Sequence, residues 1–263
     1  MHPRKRYGQH FLVDGNILRK IVSAAGIRKG EDVLEIGPGQ GALTGALLDA
    51  GARVAAIEID RELCAGLRER FAGLEALEII NADALNVSFA GLALGRRGRL
   101  KVVANLPYNI SGPVLIKFME ERESLSDIVV MLQKEVAERI AARPGTKDYG
   151  AITVRVQAYA AVRRVFSVSP NSFRPVPRVA SMVVRITPLD RAAITPEEAG
   201  FFRLVVTAAF GQRRKTLANA LKTLRMPQSR IDESLVASGI DPQRRGETLN
   251  VEEFARLARS LGA

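Results

Sequence analysis

The chain has 263 residues, 47% of them hydrophobic, enough for one large domain or a large and a small one with a sizeable core. A single cysteine, Cys64, excludes an internal disulfide and a cysteine metal cluster, and two histidines, His2 and His10, argue against a histidine metal site, so no metal is expected. A formal net charge of +11, with no membrane-length apolar run and no signal peptide, points to a cytosolic protein with a polyanionic partner and no membrane association.

Residues 1–12 read as a basic arm. Asp14 is placed to cap a helix carrying Ile17, Leu18, Ile21 and Val22 at helical spacing, which stops near Gly26. Asp32 to Ile36 reads as a strand running into the glycine turn Gly37-Pro38-Gly39-Gln40-Gly41, with a helix from about Ala42 to Ala50. A second strand, Arg53 to Asp60, leads to a helix from about Glu62 to Phe71, and a third, Leu77 to Ile80, closes in Asn81-Ala82-Asp83. A fourth, Leu100 to Ala104, runs into Asn105-Leu106-Pro107-Tyr108-Asn109-Ile110. Helix, strand and helix follow over 113–121, 128–132 and 134–142. Strands alternating with helices predict an α/β fold with a Rossmann-like parallel sheet.

The turn-rich loop 143–150 breaks the alternation, and a helix is expected over 151–160. Val162 to Val168 and Ser181 to Ile186 read as a closing strand pair around a proline-rich stretch, 169–177. After Pro188 the pattern becomes helical, with Thr195-Pro196-Glu197-Glu198 and Asn250-Val251-Glu252-Glu253 as helix starts. The expected division is therefore a catalytic domain over 1–188 and a small helical domain over 189–263.

Ligands of such sheets bind at the carboxyl ends of the strands. The glycine spacing G-x-G-x-G departs from the dinucleotide fingerprint. Glu35 before the first glycine would repel a pyrophosphate and suit a cationic ligand. Glu58 ends the second strand, where an acid accepts from both ribose hydroxyls. Asp83 ends the third, where an acid can accept from an adenine amino group. Glycine turn, Glu58 and Asp83 together describe a site for an adenosine with a cationic tail, which is S-adenosylmethionine; singly, each acid is also a plain helix cap or loop residue. Asn105 and the Leu106 carbonyl offer two acceptors, and Tyr108 a flat face, for the exocyclic amino group of a second base. The same four residues also make an ordinary strand-to-helix turn. Phe173 offers a second stacking face or is core. Cys64 reads as core. Basic clusters at Arg4 to Arg6, Arg96-Arg97, Arg163-Arg164, Arg213-Arg214-Lys215 and Arg244-Arg245 suit nucleic acid, or are solvated faces.

Gln9 to Leu12, Glu35 to Thr44, Ile57 to Asp60, Asn81 to Leu85, Asn105 to Ile110, Ser172 to Ser181 and Phe210 to Leu217 occur in order. With them the chain resembles, over nearly its whole length, the ribosomal RNA adenine dimethyltransferase family of the bacterial small-subunit (16S) type. The resemblance implies transfer of methyl groups from S-adenosylmethionine to N6 of two adjacent adenosines near the 3′ end of 16S rRNA, in the small (30S) subunit or its precursor. It implies that His10 and Leu12 close over the cofactor, that Gly37, Gly39 and their turn hold its methionine part, that Glu58 takes the ribose and Asp83 the adenine, and that Asn105 lies between cofactor and target base. The residue after Gln9 is often Asn in the family; His10 stands there, so the backbone is expected to carry that contact. Arg213, Arg214 and Lys215 are expected to face RNA phosphates, and a monomer is expected. Rival readings are a methyltransferase of large-subunit rRNA adenine, an assembly or transcription factor that kept the fold, and a nicotinamide oxidoreductase.

Overall fold

The computed structural model describes residues 10–96, 98–212 and 214–262. They form β1 (Phe11–Leu12), α1 (Gly15–Ala25), β2 (Asp32–Ile36), α2 (Ala42–Asp49), β3 (Arg53–Glu58), α3 (Arg61–Arg70), β4 (Leu77–Asn81), α4 (Phe89–Leu94), β5 (Leu100–Asn105), α5 (Ser111–Glu120) and β6 (Leu125–Gln133). These continue as α6 (Lys134–Ile140), α7 (Ala151–Gln157), β7 (Ala160–Val168), β8 (Phe173–Arg174) and β9 (Ser181–Pro188). The last helices are α8 (Ala199–Gly211), α9 (Leu217–Leu221), α10 (Gln228–Ala237) and α11 (Val251–Gly262).

The main sheet has the strand order β4-β3-β2-β5-β6-β9-β7. Pairings from β4 through β6 are parallel, and β6 pairs with β9 antiparallel. Every residue of β2 is buried, and all of β5 but Asn105, as expected of strands covered on both faces. From β2 the chain progresses outward to β3 and β4, and then returns to the other side of β2 as β5. The order thus reverses between β2 and β5, and a crevice opens beyond their carboxyl ends. Asp14 caps α1 as expected, accepting from the N–H groups of Asn16 and Ile17.

Three elements, β1, β8 and α4, have no counterpart in the local sequence pattern. The expected arm ends in β1, which pairs antiparallel with β8, Phe11 opposite Arg174 and Leu12 opposite Phe173. This pairing joins segments more than 160 residues apart, so no local pattern announces it. Helix α4 is only six residues long, too short for a visible apolar period.

The chain divides into two compact units. One comprises the described residues up to Ala137 with Val162–Pro188; the other comprises Glu138–Ala161 with the described residues from Leu189 onward. The boundary expected at 188 is corrected by this: residues 138–161 join the helical unit. Tyr149, Val154 and Ala158 are buried in one apolar cluster with Phe202, Val205, Leu235 and Phe254, so the apolar face of α7 is covered by the later helices. In the sheet-containing unit Ile21, Val33, Val54, Val103, Val129 and Phe173 share a second core.

One lysine ties a helix end to this core. The Lys101 ammonium on β5, in a side chain 9% exposed, donates to the Ala25 and Gly26 carbonyls at 3.0 and 3.2 Å and pairs with Glu31 at 2.9 Å. It satisfies carbonyls that the C-terminus of α1 leaves open. Lys101→Met is expected to lower unfolding free energy by about 2 kcal/mol, because charged hydrogen bonds disappear and acceptors are stranded. Urea denaturation checks this; an unmoved midpoint would show that water replaces the lysine without loss.

Candidate active site

The carboxyl ends of β2, β3, β4 and β5, with β1 across them, enclose a cavity of about 380 Å³. His10, Leu12, Gly37, Gly39, Glu58, Asp83, Asn105, Leu106 and Tyr108 all line it. Residues scattered over about a hundred positions meet here because each lies at, or within three residues of, the carboxyl end of a parallel strand, or in or beside β1.

The glycine turn has a steric basis. Gly37, Gly39 and Gly41 have φ of 70, 57 and 81°, in the left-handed region. A Cβ on Gly37 would lie 3.0 Å from Pro107 Cγ, and one on Gly39 would lie 3.0 Å from the Phe11 ring. The turn is thus in contact with both the Asn105 segment and β1. Gly37 N–H donates to the Ile57 carbonyl at 2.9 Å, which ties the turn to the end of β3.

Glu58 is 5% exposed. One carboxylate oxygen accepts from Gly39 N–H at 3.2 Å and the other from Asp60 N–H at 3.0 Å. Burial pushes its carboxyl above the ordinary range, against the pull of these two bonds. The Asp83 carboxylate accepts from Leu85 N–H through Oδ1 at 2.9 Å, and its other oxygen can accept from a ligand.

Glu35 is 1% exposed and lines the cavity, with Thr44 Oγ1 donating to Oε2 at 2.6 Å. Burial pushes its carboxyl from 4.5 up to about 8; the Thr44 bond opposes this, and the Glu58 charge adds to it. Between about 4.5 and about 8 the folded chain therefore holds a proton that the unfolded chain releases, so Glu35 costs stability progressively as pH rises through that window. Glu35→Gln is expected to flatten this decline. Urea midpoints measured across the window test it, and parallel declines in variant and wild type would refute it.

Asn105 closes β5, opposite Met131. Leu106 N–H then donates to the Met131 carbonyl at 3.1 Å, holding the chain to the sheet one residue further before Pro107 turns it away. The Asn105 amide has no hydrogen-bond partner among the described residues and faces the cavity. Tyr108 is held from two sides. Its hydroxyl bonds Ser181 Oγ at 2.8 Å, and its ring centroid lies 5.7 Å from that of His10. Burial keeps the phenol protonated. His10 Nδ1–H donates to the Pro175 carbonyl at 2.8 Å, which leaves Nε2 open.

Phe173 corrects an expectation. Its side chain is fully buried, packs in the core with Leu12, Val168 and Val183, and is not part of the cavity wall. Pairing of β8 with β1 sets Phe173 opposite Leu12 and turns its ring inward. Arg214 and Lys215 are exposed in the helical unit, and Arg213 lies outside the described residues. Two further residues matter that no sequence pattern singles out: Phe11, which touches the glycine turn, and Ser181, which holds Tyr108. Both act through contacts distant in sequence.

A mostly parallel sheet with its crevice at a glycine turn and acidic strand ends is the Rossmann-like fold of class I S-adenosylmethionine-dependent methyltransferases. Residues 1–262 match the family model described as ribosomal RNA adenine dimethylase. The chain belongs to that family. It is 49% identical to the ribosomal RNA small subunit methyltransferase A of Moorella thermoacetica, covering 98% of this chain and 92% of that one. It is 44% identical to the protein of the same name from Geobacter metallireducens, covering 99% and 96%. Among solved structures, it resembles a dimethyladenosine transferase from Plasmodium falciparum, with 28% identity, a TM-score of 0.77 and coverage of 94% and 96%. It also resembles the 23S rRNA methyltransferase ErmE, with 25% identity, a TM-score of 0.70 and coverage of 96% and 100%.

Proposed function

We propose that this enzyme methylates N6 of two adjacent adenosines near the 3′ end of 16S rRNA, twice each, using S-adenosylmethionine, on the small (30S) subunit or its precursor. It works as a monomer in the cytoplasm. One observation carries the reading: the Asn105 amide, with no hydrogen-bond partner among the described residues, and Leu106 line a cavity whose other walls suit an adenosine with a cationic tail.

The donor fits these residues. Glu58 and Asp83 have lone pairs left for ribose and adenine. The turn at Gly37 and Gly39 admits a close backbone approach, and Leu12 and His10 cover it from β1. Buried Glu35 and Glu58 gain stability as anions when a cation enters beside them. The donor supplies an electrophilic methyl group.

The protein's own work is positioning. The target adenine must leave its stack to enter the cavity. Its N6 lone pair is conjugated with the ring and weakly nucleophilic. Hydrogen bonds from the amino group to Asn105 Oδ1 and the Leu106 carbonyl pull N6 toward tetrahedral geometry and aim the lone pair along the transfer line. The same acceptors stabilise positive charge growing on N6. Tyr108 supplies a stacking face, worth roughly 1–3 kcal/mol per base. Proton loss follows transfer, so no general base need act first. Arg213, Arg214 and Lys215 contact RNA phosphates.

Radiolabelled methyl transfer onto undermodified small subunits and, separately, onto large subunits, followed by nucleoside analysis, tests the proposal. Dimethyladenosine at adjacent positions supports it. Label confined to the large subunit would favour the reading suggested by the likeness to ErmE, and subunit maturation without label would favour an assembly factor.

A further inference from the structure

A second concave surface lies on the sheet-containing unit, between α1 and the edge strand β7. It measures about 630 Å³ and is lined by Asn16, Arg19, Lys20, Ser23, Val165 and Phe166. Its floor is apolar, since Phe166 packs on the same core as Ile17, Leu18 and Val22. Its rim is cationic. Arg19 and Lys20 line the groove and are exposed on α1, and Arg163 and Arg164 are exposed on β7 just before the lining residues Val165 and Phe166. Neither element contains Asp or Glu. A nearby acid, Asp14, has its carboxylate engaged by two backbone N–H groups of α1 and by the Ser172 hydroxyl. Arg19 also donates to Asn16, which holds its guanidinium over the first turns of the helix.

Two features separate this face from a merely solvated one. The first is continuity with the active site. Val13, 52% exposed, lines the cavity, and Asn16, three residues on in the first turn of α1, begins the groove. From Asn16 to Ser23 the helix covers about 10 Å, a span on the scale of a few nucleotides. The second is the edge itself. β7 ends the sheet order, so its outer backbone groups have no strand beside them among the described residues. Charges on an edge strand discourage pairing with other chains. That role accounts for Arg163 and Arg164, but not for Arg19 and Lys20 across the groove.

We infer that the α1–β7 groove is a phosphate track for the RNA strand flanking the target adenosines, with Arg19, Lys20, Arg163 and Arg164 as its contacts. The inference rests on the function proposed above and adds a surface on the sheet-containing unit to the cationic cluster of the helical unit. Phosphate contacts of this kind position the strand without reading its sequence.

The test uses the full chain and a fluorescein-labelled hairpin carrying the 3′-terminal loop of 16S rRNA, titrated over a range of KCl concentrations. Arg19→Glu with Lys20→Glu, and separately Arg163→Glu with Arg164→Glu, are expected to weaken binding at least about tenfold at low salt. The milder Arg19→Gln with Lys20→Gln pair is expected to make the slope of log K against log salt shallower by about 1.4, because two single-strand phosphates are then no longer neutralised. S-adenosylmethionine affinity by calorimetry and the melting temperature should stay at wild-type values, which separates this effect from misfolding. Unchanged RNA affinity and slope in folded variants would overturn the inference. So would loss of binding to anionic lipid vesicles with RNA binding intact. Failure of the parent reading is distinguishable, because there the wild type itself would not methylate the subunit.

Discussion

Asn105→Ala lowers the rate of methyl transfer by about 10²- to 10³-fold, the scale seen when one preorganised polar group facing a developing charge is removed. The alanine leaves N6 with the Leu106 carbonyl alone, so the amino group is neither bent toward tetrahedral geometry nor stabilised as charge builds. The effect should fall on kcat more than on donor affinity, because the glycine turn, Glu58 and Asp83 are untouched. Folding should be little affected. The Asn105 side chain is half-buried and has no hydrogen-bond partner among the described residues, so nothing is stranded by its loss. Asn105→Asp keeps an acceptor at the same place and should retain more rate than the alanine variant. Single-turnover transfer with saturating donor reads the step directly. If the alanine variant kept its rate within about threefold, the two-acceptor mechanism would have to be abandoned.

Gly37→Ala is the second large effect, and it acts on both halves of the site. Holding a non-glycine residue at φ of 70° costs roughly 1–2 kcal/mol. The new methyl would stand 3.0 and 3.1 Å from Cγ and Cδ of Pro107. That ring cannot swing aside as a flexible side chain would, since it is fused to the backbone, and Leu106 just before it is bonded to β6. The collision therefore displaces the turn, the Asn105 segment, or both. Donor affinity is expected to fall, and kcat to fall by about 10²-fold, since a misplacement near 1 Å costs that much. Gly26→Ala is the control. Gly26 has φ of 57° but nothing within 4 Å of an added Cβ, so it carries the backbone cost without the collision. Thermal melting and steady-state kinetics on the two variants separate strain from contact. Equal behaviour of both would show that Gly37 and Pro107 are not coupled.

These two residues also mark how far the sequence alone could be read. Strand-ending residues such as Asn105, Glu58 and Asp83 are legible because a parallel βα alternation sends every strand's carboxyl end to one side. Leu34, Val54 and Val102 announce their strands by apolar runs, and Asp14 its helix by its capping chemistry. The glycine turn is legible because only glycine tolerates its backbone. The contact between Gly37 and Pro107 is not, since it depends on β2 and β5 lying side by side while more than 60 residues separate them.

The remaining differences have the same origin. Phe173 sits in a proline-rich stretch with no apolar period, a setting that favours an exposed stacking role over core. The pairing of β8 with β1 decides for the core. The basic arm's end becomes β1 for the same reason, and residues 138–161 leave the expected catalytic domain because the later helices cover Tyr149 and Val154. Local patterns thus determined the sheet, the helices, the adenosine-shaped set of acids and the Asn105 to Tyr108 segment, because capping, periodicity and left-handed turns act over a few residues. The tertiary structure alone decided which side chains share the cavity wall, which aromatic ring is core, and how far the helical unit extends. Those outcomes are set by burial against elements far away in the chain, which no local pattern encodes.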